Sequence, residues 1–186
     1  SSNDTIEETP IVNRGALRGT AMHQVMEGLN FKKILELDTA NDVAVYAFLE
    51  AELVRMKEKE QLTQEMLDLI SIHKLADYVK NPIAIRMARA HEKGDLFREK
   101  PFVMDYQGAL VQGIIDVFWL EEGKIVLLDY KTDRVQTEQE LIDRYATQLD
   151  LYADALCRIF STKECKIESA EKLIYSFRLD KVIPIE

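Results

Sequence analysis

The sequence predicts an α/β fold with a mixed central β-sheet flanked by helices and a helical subdomain on its N-terminal side. Three observations predict it. Residues 39 to about 91 are rich in Ala, Leu, Met, Glu and Lys, with apolar side chains every three or four positions. From Gly94 to Lys131 the chain breaks into short β-branched and aromatic runs between glycine turns. The helical period then returns before one last β-rich run, an order that suits a sheet covered by helices. With 186 residues, 47% of them hydrophobic, the chain is long enough for one sizeable core. It divides into a lead-in (1–17), a helical subdomain (18–94) and a sheet-bearing core (95–186).

The lead-in is polar and contains Pro10, which suits an extended segment. Arg18-Gly19-Thr20 starts a helix with Thr20 as N-cap, and Met22, Val25, Met26 and Leu29 follow at helical spacing, so His23 lies on the first helix. Val45, Phe48, Leu49 and Leu53 carry the same period onward. Asn81-Pro82 reads as an N-cap with proline in the first turn of a short helix that Lys93-Gly94-Asp95 stops. Residues 97–106, 110–120 and 124–131 form three strands of a meander. A helix over 138–160 and a final strand over 171–179 complete the order.

Composition narrows the function. No apolar run approaches the roughly 20 residues that span a bilayer, and the start lacks a signal-peptide pattern, which predicts a cytoplasmic protein without a membrane partner. Two cysteines, Cys157 and Cys165, are too few for a disulfide framework, a zinc finger or an all-cysteine iron–sulfur cluster, and are expected as reduced thiols. No G-x-x-x-x-G-K-[ST] loop is present, so no nucleotide cofactor is expected. The formal charge of −9 speaks against nonspecific phosphate binding. A metal site, however, needs clustered carboxylates, and bound cations alter the local field.

Gly113-Ile114-Ile115-Asp116 and Leu127-Leu128-Asp129-Tyr130-Lys131 are joined by a turn at Glu122-Gly123. An even-numbered loop there places Asp116 opposite Asp129, whereas a glycine bulge shifts the pairing by one. Side-chain alternation puts Asp129 and Lys131 on one face and Tyr130 on the other. Two facing carboxylates repel unless a cation lies between them, and oxygen ligands favour magnesium, with manganese as a substitute. The same residues also read as a solvent-face ion pair. The apolar run from Ile125 to Leu128 favours instead a buried strand whose polar end opens into a site.

Asp116 followed by Asp129-Tyr130-Lys131 resembles the signature of the PD-(D/E)XK nuclease superfamily. Leu127-Leu-Asp129-Tyr-Lys131-Thr-Asp133, with the downstream Tyr145-Ala-Thr-Gln148-Leu-Asp-Leu-Tyr152-Ala and the upstream Arg18-Gly19-Thr20-Ala-Met-His23, is similar to its RecB-type branch. Within that branch the resemblance is greatest to the C-terminal nuclease domains of AddA-type helicase–nucleases, and it extends over essentially the whole chain. It implies a PD-(D/E)XK core carried by a much longer protein, whose partners would be DNA, a helicase part and a second helicase–nuclease subunit. The implied activity is magnesium-dependent DNA exonuclease cleavage of unwound single strands in recombinational repair of double-strand breaks.

The resemblance assigns His23, Asp116, Asp129 and the Tyr130 backbone carbonyl as metal ligands, and Asp116, Asp129 and Lys131 as the catalytic set. Lys131 would orient or deprotonate the attacking water. Gln148 and Tyr152, four apart on a helix, would contact substrate or support the metal-bearing strand. Tyr145 and Tyr152 also read as core aromatics, and a lone helical histidine such as His23 is more often structural. Glu99 matches the acidic position on the strand before the hairpin; pairing with Arg98 or Lys100 would equally explain it. Two rivals remain, an inactive DNA-binding module of the same fold and a stand-alone endonuclease. The complete residue set opposes the first, and the charge of −9 opposes the second.

Overall fold

A computed structural model describes residues 11–163, 166–167 and 169–186. In chain order the elements are α1 (Ile11–Gly28), α2 (Phe31–Glu36), α3 (Asp42–Glu58), α4 (Gln64–Leu69), α5 (Ile72–Lys80) and α6 (Pro82–Glu92). The second half holds β1 (Leu96–Tyr106), β2 (Ala109–Glu121), β3 (Lys124–Lys131), α7 (Glu138–Phe160), β4 (Ala170–Ser176) and β5 (Lys181–Ile185). The strands form one mixed sheet in the order β1-β2-β3-β4-β5. Only β3 and β4 run parallel, joined through α7, as a parallel pair requires a crossover. The fold is the α/β arrangement expected, and among the described residues no helix is long and apolar enough to cross a membrane.

The turn between β2 and β3 explains the register of the site. Glu122 and Gly123 both have positive φ, 51° and 78°, the two-residue loop whose twist matches the strands it joins. Glu121 therefore pairs with Lys124, and the register continues to Val117 opposite Leu128. Every residue from Ile125 to Tyr130 is buried. On one face Val117, Trp119, Val126, Leu128 and Tyr130 join a core with helices α1 to α6. On the other, Phe118, Ile125, Leu127 and Ile174 pack against Leu141, Leu149 and Leu156 of α7.

The helical layer is fastened where α1 turns into α2. Glu52 of α3 is 1% exposed. It accepts hydrogen bonds from the Asn30 amide at 2.6 Å and from Arg55 Nε at 2.8 Å. Arg55 Nη2 in turn donates to the Gly28 carbonyl at 2.7 Å, which satisfies a carbonyl at the open end of α1.

Two expectations fail at element ends. The helix expected from Thr20 already runs from Ile11, so the second part of the expected lead-in is helical; its first part, residues 1–10, lies outside the described residues. Thr20 is not an N-cap, and its hydroxyl donates to the Ala16 carbonyl one turn back at 3.1 Å. Gly15 and Gly19 hide this first stretch because glycine reads as a helix breaker. The strand expected over 171–179 ends at Ser176, residues 177–180 form a turn, and a further strand, β5, follows that was not expected from the sequence. Pro184 obscured β5, yet it occupies an edge strand, where a missing amide is tolerated. Asn81 caps α6 as expected, accepting from the Ile83 amide at 3.0 Å. Cys157 is a free thiol on α7, and Cys165 lies outside the described residues.

Candidate active site

The candidate residues gather at the C-terminal end of β3, where strand ends of an α/β sheet open a crevice. Gly19 lets α1 approach this end closely, since a Cβ there would sit 3.1 Å from Thr132 Oγ1. One turn along α1, His23 Nδ1 lies 3.0 Å from the Gly19 carbonyl and Nε2 lies 3.1 Å from Asp116 Oδ2. A carbonyl and a carboxylate can only accept, so both ring nitrogens carry protons in this arrangement. Burial opposes the imidazolium, but the hydrogen bond to Asp116, its charge and the Gly19 carbonyl outweigh it and raise His23 to about 9.

Asp116 immediately precedes Val117, the first residue of β2 that pairs with β3. The ladder to β3 stops at Val117 and Leu128, and the Tyr130 amide donates instead to Asp116 Oδ2 at 2.9 Å. Asp116 and Asp129 thus come next in the predicted register without pairing through the backbone. On its other side, the β1–β2 register skips Glu99 opposite Asp116 but resumes unchanged with Lys100 and Ile115. Glu99 has a φ of 48°, in the left-handed region that a non-glycine residue seldom adopts. Side-chain alternation reverses across it. Arg98 donates to the carbonyl of Leu29, just past α1, whereas Phe102 packs against Tyr152 of α7.

Asp129 is 6% exposed. Burial, then the neighbouring Asp116 charge, push its carboxyl well above the usual range. For Asp116 burial also opposes ionisation, but hydrogen bonds from His23 and from Asp129 hold it below that range. Of the two, Asp116 is the more readily ionised, and burial beside its charge makes Asp129 the easier to protonate. Lys131 Nζ lies 2.8 Å from Asp129 Oδ2, an ion-pair distance without hydrogen-bond geometry, and that buried oxygen receives no hydrogen bond. The Lys131 ammonium therefore meets the charge of this oxygen without completing its hydrogen bonding.

Around this centre the other expected residues fall into place unevenly. Lys131 Nζ sits 3.8 Å above the Tyr145 ring, and the Tyr145 hydroxyl donates to Asp133 Oδ2 at 2.7 Å. Tyr145 thus packs against the α7-side core and at the same time forms a platform for the lysine. Asp133 was overlooked as a support, although it stands two residues beyond Lys131. Gln148 Nε2 donates to Tyr152 Oη at 3.1 Å, and the charges of Asp129 and Asp116, after burial, raise the Tyr152 phenol. Gly113 makes room for that phenol, since a Cβ there would fall 2.9 Å from Phe102 Cε1 and 3.0 Å from Tyr152 Oη. Glu99 forms no ion pair with Arg98 or Lys100 among the described residues. Burial and the charges of Asp116 and Glu27, offset by His23, raise it to about 7.

The donors suit a hard cation but do not form a finished cage. Among the described residues, no three His, Cys, Asp or Glu side chains stand in metal-binding convergence. His23 Nε2 is turned onto Asp116, and Lys131 onto Asp129. A cation between these carboxylates would relieve the repulsion that raises Asp129 beside the Asp116 charge. If Nδ1 keeps its proton for the Gly19 carbonyl, the Nε2 lone pair is free to ligate.

A model of the PD-(D/E)XK nuclease superfamily matches residues 3–182, a span that includes every residue of this site. An ATP-dependent helicase/nuclease subunit from Clostridium perfringens is 31% identical over 189 residues, covering 91% of this chain and 14% of that protein. Its namesake from Anoxybacillus flavithermus is 36% identical over 179 residues, covering 92% and 13%. That from Clostridium novyi is 32% identical over 191 residues, covering 93% and 14%. The chain thus spans about 14% of the length of the relatives it matches. Matched over nearly its whole length, this chain belongs to the PD-(D/E)XK nuclease superfamily.

Proposed function

We propose that the chain is a divalent-metal-dependent deoxyribonuclease domain that hydrolyses phosphodiester bonds of single-stranded DNA. The observation that carries this reading is the convergence of Asp116, buried Asp129 and Lys131 at one strand end, with His23 on Asp116 and the Tyr130 amide fixing it. His23 Nε2, the carboxylates of Asp116 and Asp129 and the Tyr130 carbonyl would hold the ion. Their oxygen-rich set favours magnesium, with manganese as substitute. Such an ion supplies positive charge against the phosphate and acidifies water.

The chain's own residues prepare the rest. Asp116 is held in place by the Tyr130 amide and His23. Lys131, steadied over Tyr145, presents its ammonium beside the carboxylates, where it orients the attacking water and offsets charge growing on the phosphate. Gln148 and Tyr152 present polar groups for the strand, and Glu99 borders the same charge cluster. The helical part that carries His23 and the core that carries the carboxylates act as one nuclease unit. The names of the relatives support a place within an ATP-dependent helicase–nuclease, where a motor delivers unwound strands. In this reading cytoplasmic repair of double-strand breaks by recombination, shared with a second helicase–nuclease subunit, completes the context.

The test is cleavage of end-labelled single-stranded DNA with magnesium, manganese or chelator. We expect metal-dependent cleavage that Asp129→Ala and Lys131→Ala each reduce at least a hundredfold, the scale of losing one group that acts only in the transition state. Cleavage by a folded Asp129→Ala variant at the native rate would falsify the assignment.

A further inference from the structure

A cleft of about 380 Å³ opens beside the candidate active site, lined by Arg18, Met22, Ser71, Lys74, Thr132, Arg134, Phe177 and Arg178. Four of these side chains are cationic and none is acidic, in a chain whose formal charge is −9. Lys74 is neutralised by Asp180. Arg18, Arg134 and Arg178 form no ion pair among the described residues, unlike Arg55, Arg86, Arg144 and Arg158; Arg14, Arg89 and Arg98 are likewise unpaired but do not line the cleft. An acidic protein that leaves three guanidinium groups uncompensated around one concavity has built a local anion-attracting field.

The walls come from four separate parts of the fold. They are α1, the start of α5, the segment after β3 and the turn after β4. Two of them adjoin the site directly, since Thr132 follows Lys131 and Met22 precedes His23. Guanidinium groups match phosphate oxygens through paired N–H donors. The Ser71 and Thr132 hydroxyls add neutral donors. Met22 and Phe177, both buried, give the cleft an apolar floor. A free inorganic phosphate has no use for such a floor, whereas a strand presents sugar and base surface between its phosphates.

We propose that this cleft grips the phosphates of the DNA strand next to the scissile one, with Arg18, Arg134 and Arg178 as the contacting side chains. The inference rests on the nuclease reading and deepens it, because it assigns the route by which the strand enters the site. Binding here explains how a domain with negative net charge holds a polyanion: the contacts are concentrated in one groove.

The test is fluorescence anisotropy of dye-labelled oligothymidine with the native chain and with Arg134→Gln/Arg178→Gln, in chelator, over a salt series. Both arginines are exposed, so the double variant should keep the native melting temperature. Each phosphate contact on a single strand contributes about 0.7 to the slope of log affinity against log salt. Losing two should make the slope shallower by about 1.4 and weaken binding roughly 25-fold at 0.1 M salt. Unchanged slope and affinity, or no binding by the native chain, overturns the proposal. Displacement by inorganic phosphate at constant ionic strength makes the cleft a free-anion site and also overturns it. Asp129→Ala, run in parallel, should lose cleavage and keep the native slope. Its continued cleavage would sink the nuclease assignment while leaving the cleft measurement to stand by itself.

Discussion

Replacing Glu52 with alanine removes the acceptor for two neighbouring groups at once. Oε1 accepts from the Asn30 amide and from Arg55 Nη2, at 2.6 and 3.1 Å, and Oε2 accepts from Arg55 Nε at 2.8 Å. Breaking one side of a buried ion pair costs about 3–5 kcal/mol. The Arg55 side chain is 30% exposed and can rehydrate, so the expected loss is at the low end, about 3 kcal/mol. In a chain of this size that lowers the melting temperature by about 6–12 °C, measured by circular dichroism at pH 7. The pH dependence has a definite sign. Burial raises the Glu52 carboxyl, but the hydrogen bonds from Arg55 and Asn30 outweigh it and leave it below the usual range. A depressed carboxyl contributes stability above its unfolded-state pKa and loses it as pH falls through the folded-state value. The gap between native and variant should therefore be full at pH 7 and shrink below about pH 4.3. A gap no larger than that of a surface substitution, about 0.5 kcal/mol, or one that widens in acid, refutes the clamp.

Other changes probe the site and its surroundings. In chelator Asp129→Asn should melt above the native chain, because it removes a buried carboxyl that faces Asp116. Magnesium should stabilise the native chain by about 2.7 kcal/mol at a hundredfold excess over Kd; an equal shift in the variant would show that the ion binds elsewhere. Gly113→Ala should cost about 1–3 kcal/mol by overpacking against Phe102. Pairing it with Phe102→Leu should recover part of that loss in a double-mutant cycle, and strictly additive losses would contradict the close approach.

The hairpin was legible because its register is a local property. Glu122-Gly123 dictates the turn, the turn dictates the pairing, and Asp116 and Asp129 follow. β3 was legible because a continuous apolar run predicts a strand buried on both faces. The reversal of side-chain alternation at Glu99 was not, since a strand residue in the left-handed region leaves no mark on hydrophobic period. Nor was the early start of α1, where Gly19 serves a contact with Thr132 more than a hundred residues away. The role of Tyr145 and the basic cleft stayed hidden for the same reason. Arg18, Lys74, Arg134 and Arg178 look like scattered surface charges until the chain is folded. Net charge, read without its distribution, pointed away from the surface that matters.

The parallel pairing of β3 with β4 also sets a schedule. A ribosome delivers His23 first, the hairpin with both aspartates next, and Tyr175, which lies opposite Tyr130, close to last. Until α7 has crossed over and β4 has docked, β3 lacks one of its two neighbours, and the α7 side of the sheet, towards which Asp129 lies, stays open to water. A nascent chain, or one clipped within α7, carries His23, Asp116, Asp129 and Lys131 without the enclosure that perturbs them. The sheet thus completes the burial around Asp129 only once translation has passed it by some forty-five residues, the separation of Tyr130 and Tyr175.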